Sequence, residues 1–208
     1  MIYEFRTYTL QPRTQPEFLK RWTDALPKRL EYSRLAAFWM TEIGPLNQVI
    51  HVWEYKDVQE RGRIREEVVK AGIWPPKTSD MITDMKSEIM IPQPFSPLLT
   101  PSNHGPYFEM RTYTVQEGSS IELLHARFRE HTSSLFKKHG MQIVGYWQPV
   151  SKPNVLVYML AYKDNAARDA SWAAFNTDPE WVKVRTEMNV RVQVESVFMG
   201  ATDYSPIK

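Results

Sequence analysis

The chain states one plan twice. Glu4-Phe5-Arg6-Thr7-Tyr8-Thr9 returns as Glu109-Met110-Arg111-Thr112-Tyr113-Thr114, an offset of 105. Tyr55-Lys56-Asp57 returns as Tyr162-Lys163-Asp164, an offset of 107. At that second offset Asn47 matches Asn154, Trp74 matches Trp181 and Glu88 matches Glu195. Solenoid units run about 20 to 50 residues, so a repeat this long is a duplicated domain. Whatever one half needs from a partner, the other half can supply.

Each half reads as strand, helix, strand, strand, helix, strand. Residues 2–10 alternate and are rich in β-branched and aromatic types, the mark of a strand. Thr14, with Glu17 three residues on and Pro16 in the first turn, marks a helix start. Phe18, Trp22, Ala25, Leu26 and Leu30 then keep a helical period, with Pro27 expected to kink it. Strands are expected over 36–43 and 48–56, a helix from Asp57 to about residue 71, and a strand over 81–91. The second half repeats this order: strands over 107–115, 142–148, 154–162 and 190–200, and helices from Ser119 or Ser120, from Asp164 and from Asp178. The order β-α-β-β-α-β is ferredoxin-like.

Residues 92–106 carry five prolines, which neither donate to a ladder nor sit inside a helix. They form a stiff linker between a first unit over 1–91 and a second over 107–208, and the linker's apolar residues place it against the protein. Two helices cover one face of each sheet, and the other face must be solvated or buried against something. In the strand at 48–56 and its repeat both faces are apolar, so the two sheets are expected to pack face to face as one barrel. Phe5 and Met110 are assigned to the helix side because an apolar residue must pack there. Glu4, Arg6, Tyr8 and Glu109, Arg111, Tyr113 then point into the barrel, where buried charges need one another.

Composition removes several function classes. The formal charge is +2 and extended basic runs are absent, so no nucleic-acid partner is expected. Arg61-Gly62-Arg63-Ile64-Arg65 is followed at once by Glu66 and Glu67 and reads as a solvated helix face. With no cysteine, disulfides and thiolate catalysis are excluded. The chain enters a strand pattern at once and shows no signal peptide. It also has no apolar stretch near the roughly 20 residues that span a bilayer, so the expected location is the cytoplasm. His125 and His131 lie six apart on one helix, and His139 sits near its end, without a completing carboxylate cluster, so no metal is expected. Phosphate loops and a nucleophile elbow are absent, and no cofactor is expected.

The chain resembles the NIPSNAP family within the dimeric α+β barrel superfamily. The likeness rests on Tyr3-Glu4-Phe5-Arg6-Thr7-Tyr8-Thr9-Leu10, on Phe38 to Asn47, and on His51-Val52-Trp53-Glu54-Tyr55. In the second half it rests on Gly145-Tyr146-Trp147, Leu156 to Tyr162, Arg168-Asp169-Ala170-Ser171-Trp172 and Asp178-Pro179-Glu180-Trp181. The resemblance implies two ferredoxin-like units forming an α+β barrel within one chain. Activity in the family is poorly defined, and the wider superfamily includes cofactor-free monooxygenases, haem enzymes and lyases.

Two kinds of site follow. Arg6 and Arg111, with Tyr8 and Tyr113, can bind an anionic or carbonyl ligand, since Arg offers a planar fork of donors and Tyr a hydroxyl. Alternatively Glu4–Arg6 and Glu109–Arg111 form a structural ion-pair layer. His51, beside Trp53 and Tyr55 and matched by Tyr158 in the other half, is placed to act as general base or haem ligand. Its alternative role is a hydrogen-bonded core residue. An aromatic-lined barrel cavity would also use Trp39, Trp53, Tyr146 and Tyr158, although Trp39, Trp53, Trp147 and Trp172 serve equally as core. The expected function is binding of a small apolar or aromatic ligand in the barrel. An interaction scaffold without chemistry and a cofactor-free oxygenase with His51 as base are the alternatives. Edge strands leave a homo-oligomer open.

Overall fold

The computed structural model describes residues 1–208. The first half contains β1 (Ile2–Leu10), α1 (Gln15–Leu30), β2 (Leu35–Ile43), β3 (Gln48–Tyr55), α2 (Val58–Lys70) and β4 (Ile82–Pro92). The second begins with β5 (Tyr107–Val115), α3 (Ile121–Arg127), a π-helical turn (Phe128–Thr132) and α4 (Ser133–Lys138). It continues with β6 (Gln142–Pro149), β7 (Val155–Tyr162), α5 (Asn165–Thr177), α6 (Pro179–Glu187) and β8 (Val192–Ala201).

Local chemistry fixes most helix starts. The Asp57 side chain accepts from the backbone N–H of Glu60 at 2.8 Å, and Asp164 from Ala167 at 2.7 Å. These bonds satisfy donors that a helix N-terminus otherwise leaves orphaned. Ser120 and Asp178 do the same for α3 and α6. Thr14 departs from expectation: its hydroxyl donates backwards to the Gln11 carbonyl, and α1 has no side-chain cap. Helix α1 continues through Pro27 to Leu30.

The eight strands close into an antiparallel barrel in the order β1-β3-β2-β8-β5-β7-β6-β4. Each half supplies one arc, β4-β1-β3-β2 or β8-β5-β7-β6. The arcs meet at two short seams. Trp39 to Ile43 pair with Ala201 to Phe198, and Met90 to Pro92 pair with Pro149 to Trp147. The connecting segment lies on this body: Leu99 is buried, and the Gln93 backbone N–H donates to the Tyr146 carbonyl.

Three apolar clusters result. One fills the barrel with residues of both halves, among them Tyr3, Phe5, Trp39, Phe108, Trp147 and Met159. Phe5 meets Trp147 edge-on at 5.2 Å, and Trp39 meets Phe108 at 5.6 Å, so each half inserts aromatic rings into the other. The other two clusters lie between each arc and its own helices.

This arrangement reverses the face assignment made from sequence. Phe5 and Met110 point into the barrel. Glu4, Arg6 and Tyr8, with Glu109, Arg111 and Tyr113, point to the helices. The physical reason is the source of counter-charge. The interior of a small barrel is filled by side chains, whereas α2 and α5 bring arginines to the outer face. The register also corrects one repeat match. Ser87 lies opposite Arg6 and Ser196 opposite Arg111, so Glu88 corresponds to Val197, not to Glu195.

Candidate functional site

The same buried carboxylate is built twice. Glu4 is fully buried, and its Oε1 accepts from Arg6 Nη1 at 2.7 Å, Arg61 Nη2 at 2.6 Å and Ser87 Oγ at 2.7 Å. Burial works to raise this carboxyl, but the Arg61 hydrogen bond, the Arg6 charge and the Ser87 hydroxyl outweigh it and hold it at about 2. Glu109 is equally buried and accepts from Arg111, Arg168, Ser196, Tyr162 and Trp172. Burial is again opposed, here chiefly by Arg168 and Arg111, and the Glu109 carboxyl lies below its ordinary range. The two ion pairs expected between strand neighbours therefore exist, on the helix side of each sheet. Arg61 and Arg65, expected on a solvated face, turn inward: Arg65 lies 3.6 Å from Glu4. Only Arg63 of that run keeps to the surface, paired with Glu67.

His51 and Tyr158 occupy matching positions, opposite Arg6 and Arg111 respectively. His51 is completely buried. Trp53 Nε1 donates to its Nδ1 at 2.7 Å, which places the ring proton on Nε2, and Nε2 has no partner. The rings of Tyr8, Trp22 and Phe38 enclose it at 4.8, 5.5 and 5.6 Å. Burial, then the charges of Arg6 and Arg29, push its pKa well below the usual value. This histidine offers no free lone pair to a substrate or a haem iron and lines neither of the clefts described next. The base and ligand roles weighed for it give way to the core role.

Each half opens a cleft between sheet and helices. In the first it is about 260 Å³ and includes Arg6, Tyr8, Arg29, Arg65 and Trp74. In the second it is about 820 Å³, with Arg111, Tyr113, Arg127, Arg168, Trp172 and Trp181 in its wall. The two halves also differ at one matched aromatic position. Trp22 of α1 packs on Phe38 and His51 and reaches on to Trp53, Trp74 and Tyr204. Phe128 takes the equivalent place on Tyr146 and Tyr158, and it is the smaller ring.

The expected ligand residues are thus divided. Arg6 and Tyr8 line the first cleft, and Arg111 and Tyr113 the second. Tyr146 and Tyr158 lie beneath the second, their hydroxyls bonded to Ser133 and Tyr113 at 3.0 Å. Trp53 supports Arg29, whose guanidinium stacks on its ring at 4.2 Å. Trp39 belongs to the barrel core. A third cavity of about 310 Å³ opens at the barrel mouth, between an apolar floor of Phe5, Ile50 and Met110 and a charged rim, and none of the expected ligand residues lines it. Arg61, Arg127 and Arg168 escaped the reading from sequence. The first and last match each other at the 107 offset, and Arg168 also lies in a motif that carries the family resemblance.

The chain matches known proteins along its whole length. The NIPSNAP family profile matches twice, over residues 3–97 and 108–206. Protein NipSnap homolog 3A of Homo sapiens is 26% identical over 215 residues, spanning 100% of this chain and 86% of that protein. A putative monooxygenase of Fusobacterium nucleatum superposes with a TM-score of 0.65 at 10% identity, covering 96% of this chain and 91% of that one. A putative monooxygenase of Lactobacillus acidophilus gives 0.61 at 16% identity, covering 98% and 97%. Those two likenesses concern the fold alone. The doubled profile and the doubled Glu-x-Arg-x-Tyr strand agree that the chain belongs to the NIPSNAP family.

Proposed function

We propose that the protein binds a small, flat, largely apolar molecule of aromatic class in the sheet–helix cleft of its second half. The observation that carries this reading is the open cleft of about 820 Å³ walled by Trp172, Trp181, Phe175 and Phe128. Ligand sites commonly span about 300 to 1,000 Å³ and combine an aromatic wall with a few polar groups. The barrel interior, expected from sequence to hold the ligand, is packed with rings from both halves and leaves only its mouth. The strand order within each arc supports reading each half as a ferredoxin-like unit, the first over 1–91 and the second over 107–208, joined by 92–106. The second half then works as the binding unit, and the first, whose cleft is smaller, as its support.

The cleft wall contains arginines, tyrosine, threonines and asparagines but no histidine, lysine or carboxylate. It supplies hydrogen-bond donors rather than a base, which favours holding a ligand over proton abstraction from it. The structural likeness to putative monooxygenases supports the architecture and assigns no residue to oxygen chemistry. Native mass spectra of gently purified protein, repeated after denaturation, would reveal a carried ligand. Ligand-observed NMR with naphthalene-2-carboxamide tests the cleft directly. The expected result is saturable binding that Phe128→Trp weakens about tenfold or more by refilling the cleft. No binding of this amide or of the corresponding carboxylate to the wild-type chain, or binding indifferent to Phe128→Trp in a folded variant, sinks the reading.

A further inference from the structure

Arg127 stands apart from the other arginines of its cleft. It is only 6% exposed, yet no carboxylate lies within ion-pair distance. Arg111 and Arg168 both have Glu109; Arg127 has a single hydrogen bond, from Nη1 to the Met188 carbonyl at 3.2 Å. Its Nε is buried without a partner, and its face rests on the Trp181 ring at 5.5 Å. A buried cation without a counter-charge is costly, and proteins ordinarily pair such groups.

The duplicated half shows what the ordinary solution looks like. Helix α1 starts after Thr14 and α3 after Ser120, so Phe18 matches Leu124, Trp22 matches Phe128 and Arg21 matches Arg127. Arg21 lies at the surface and is paired with Glu17 and Asp80. At the position of Glu17 the second half has Leu123. The second half has an arginine at the same position, buried and without an acid beside it. Immediately after it the helix widens into the π-helical turn Phe128–Thr132, where Ser133 Oγ bonds the Phe128 carbonyl at 2.7 Å. Such turns insert one residue and frequently mark functional sites. This one sets Arg127, Phe128 and Thr132 in the cleft wall. The Thr132 hydroxyl and Arg111 Nε are likewise buried without partners. No acidic side chain lines the cleft, while four arginines do: Arg111, Arg127, Arg168 and Arg185.

We infer that the ligand of the second cleft is an aromatic acid, a planar carboxylate whose charge supplies the counter-ion missing from Arg127. This rests on the cleft being a ligand site at all and adds the ligand's charge and its anchor. The aromatic body lies against the Trp and Phe wall while the carboxylate meets the guanidinium, a pairing for which Arg is suited by its planar fork.

The test compares naphthalene-2-carboxylate with its neutral isostere, naphthalene-2-carboxamide, on the full chain by ligand-observed NMR or calorimetry. The carboxylate is expected to bind about tenfold or more tightly than the amide, the scale of a hydrogen bond to a charged group. Arg127→Met should abolish that gap and leave amide binding nearly unchanged, while Arg127→Lys, keeping charge without the fork, should retain part of it. Both variants are checked for a cooperative melt. Equal affinities for acid and amide, or a preference that survives Arg127→Met, would overturn the inference while leaving the cleft reading intact. Failure of both compounds to bind would overturn the cleft reading and this inference with it.

Discussion

Glu109 and Arg168 meet twice, Nε to Oε2 at 3.0 Å and Nη2 to Oε1 at 3.2 Å, and this fork ties helix α5 to strand β5. Glu4 and Arg61 make the corresponding link between α2 and β1 at 2.6 Å. Removing one member of a buried pair leaves the other charged and unpaired, which typically costs about 3 to 5 kcal/mol. Glu109→Gln keeps the shape and removes the charge that Arg111 and Arg168 share. The expected outcome is a loss of about 3 kcal/mol in denaturant titration, with a lowered melting temperature. A melt within a degree of wild type would mean that the carboxylate contributes nothing to stability.

Acid should attack the first half through Glu4. Its carboxyl is held at about 2 in the folded chain against an ordinary value of 4.5. A depressed carboxyl stabilises the fold above its unfolded pKa, and that contribution is lost as pH falls through the folded value. Stability should therefore decline from about pH 5 down to about pH 2, with this group accounting for about 3 kcal/mol. The Glu4→Gln variant should start less stable at neutral pH and show a shallower decline, measured by urea titrations across that range.

The His51 ring should stay neutral throughout the physiological range, because burial and nearby Arg6 oppose its protonation. In a pH series its ring signals should not move between about pH 5.5 and 8, where an ordinary histidine titrates. A midpoint near neutrality would show that water reaches Nε2 and would restore the imidazole as a candidate base.

Gly145 is held by sterics. A Cβ placed there would sit 2.3 Å from the Trp147 ring, which is fully buried and packs on Phe5 across the barrel. Gly145→Ala should cost about 1 to 3 kcal/mol through this overpacking. Pairing it with Trp147→Leu should recover part of the loss, and a double-mutant cycle in denaturant measures the coupling. Strict additivity would place the damage elsewhere.

Much of this architecture was legible from residues alone because it is local. The β-α-β-β-α-β order and the helix starts at Asp57, at Ser119 or Ser120, and near Asp164 and Asp178 all rest on short-range signals, and the repeat then doubles each of them. The facing of the strands was not legible. In β7 all eight residues from Val155 to Tyr162 are buried, so alternation carries no information on which side meets the helices. Glu4 and Glu109 looked self-sufficient beside Arg6 and Arg111, which hid the need for Arg61 and Arg168 from distant helices. The burial of Arg127 had no signal within its own half; it appears only when the helix starts are aligned and Arg21 is found with its acids intact. The π-helical turn leaves no pattern that sequence periodicity registers.

A barrel assembled from two copies of one short chain must accept every substitution twice. Joining the copies lifts that constraint. Trp22 stands beside His51 in the packed first half, while the smaller Phe128 stands beside Tyr158 and forms part of the wall of the larger cleft. One arc is then free to specialise as a rigid foundation, and the other to drift in shape and charge, without either change being copied onto its twin. The covalent junction at residues 92–106 thereby turns an obligatory symmetry into a division of labour.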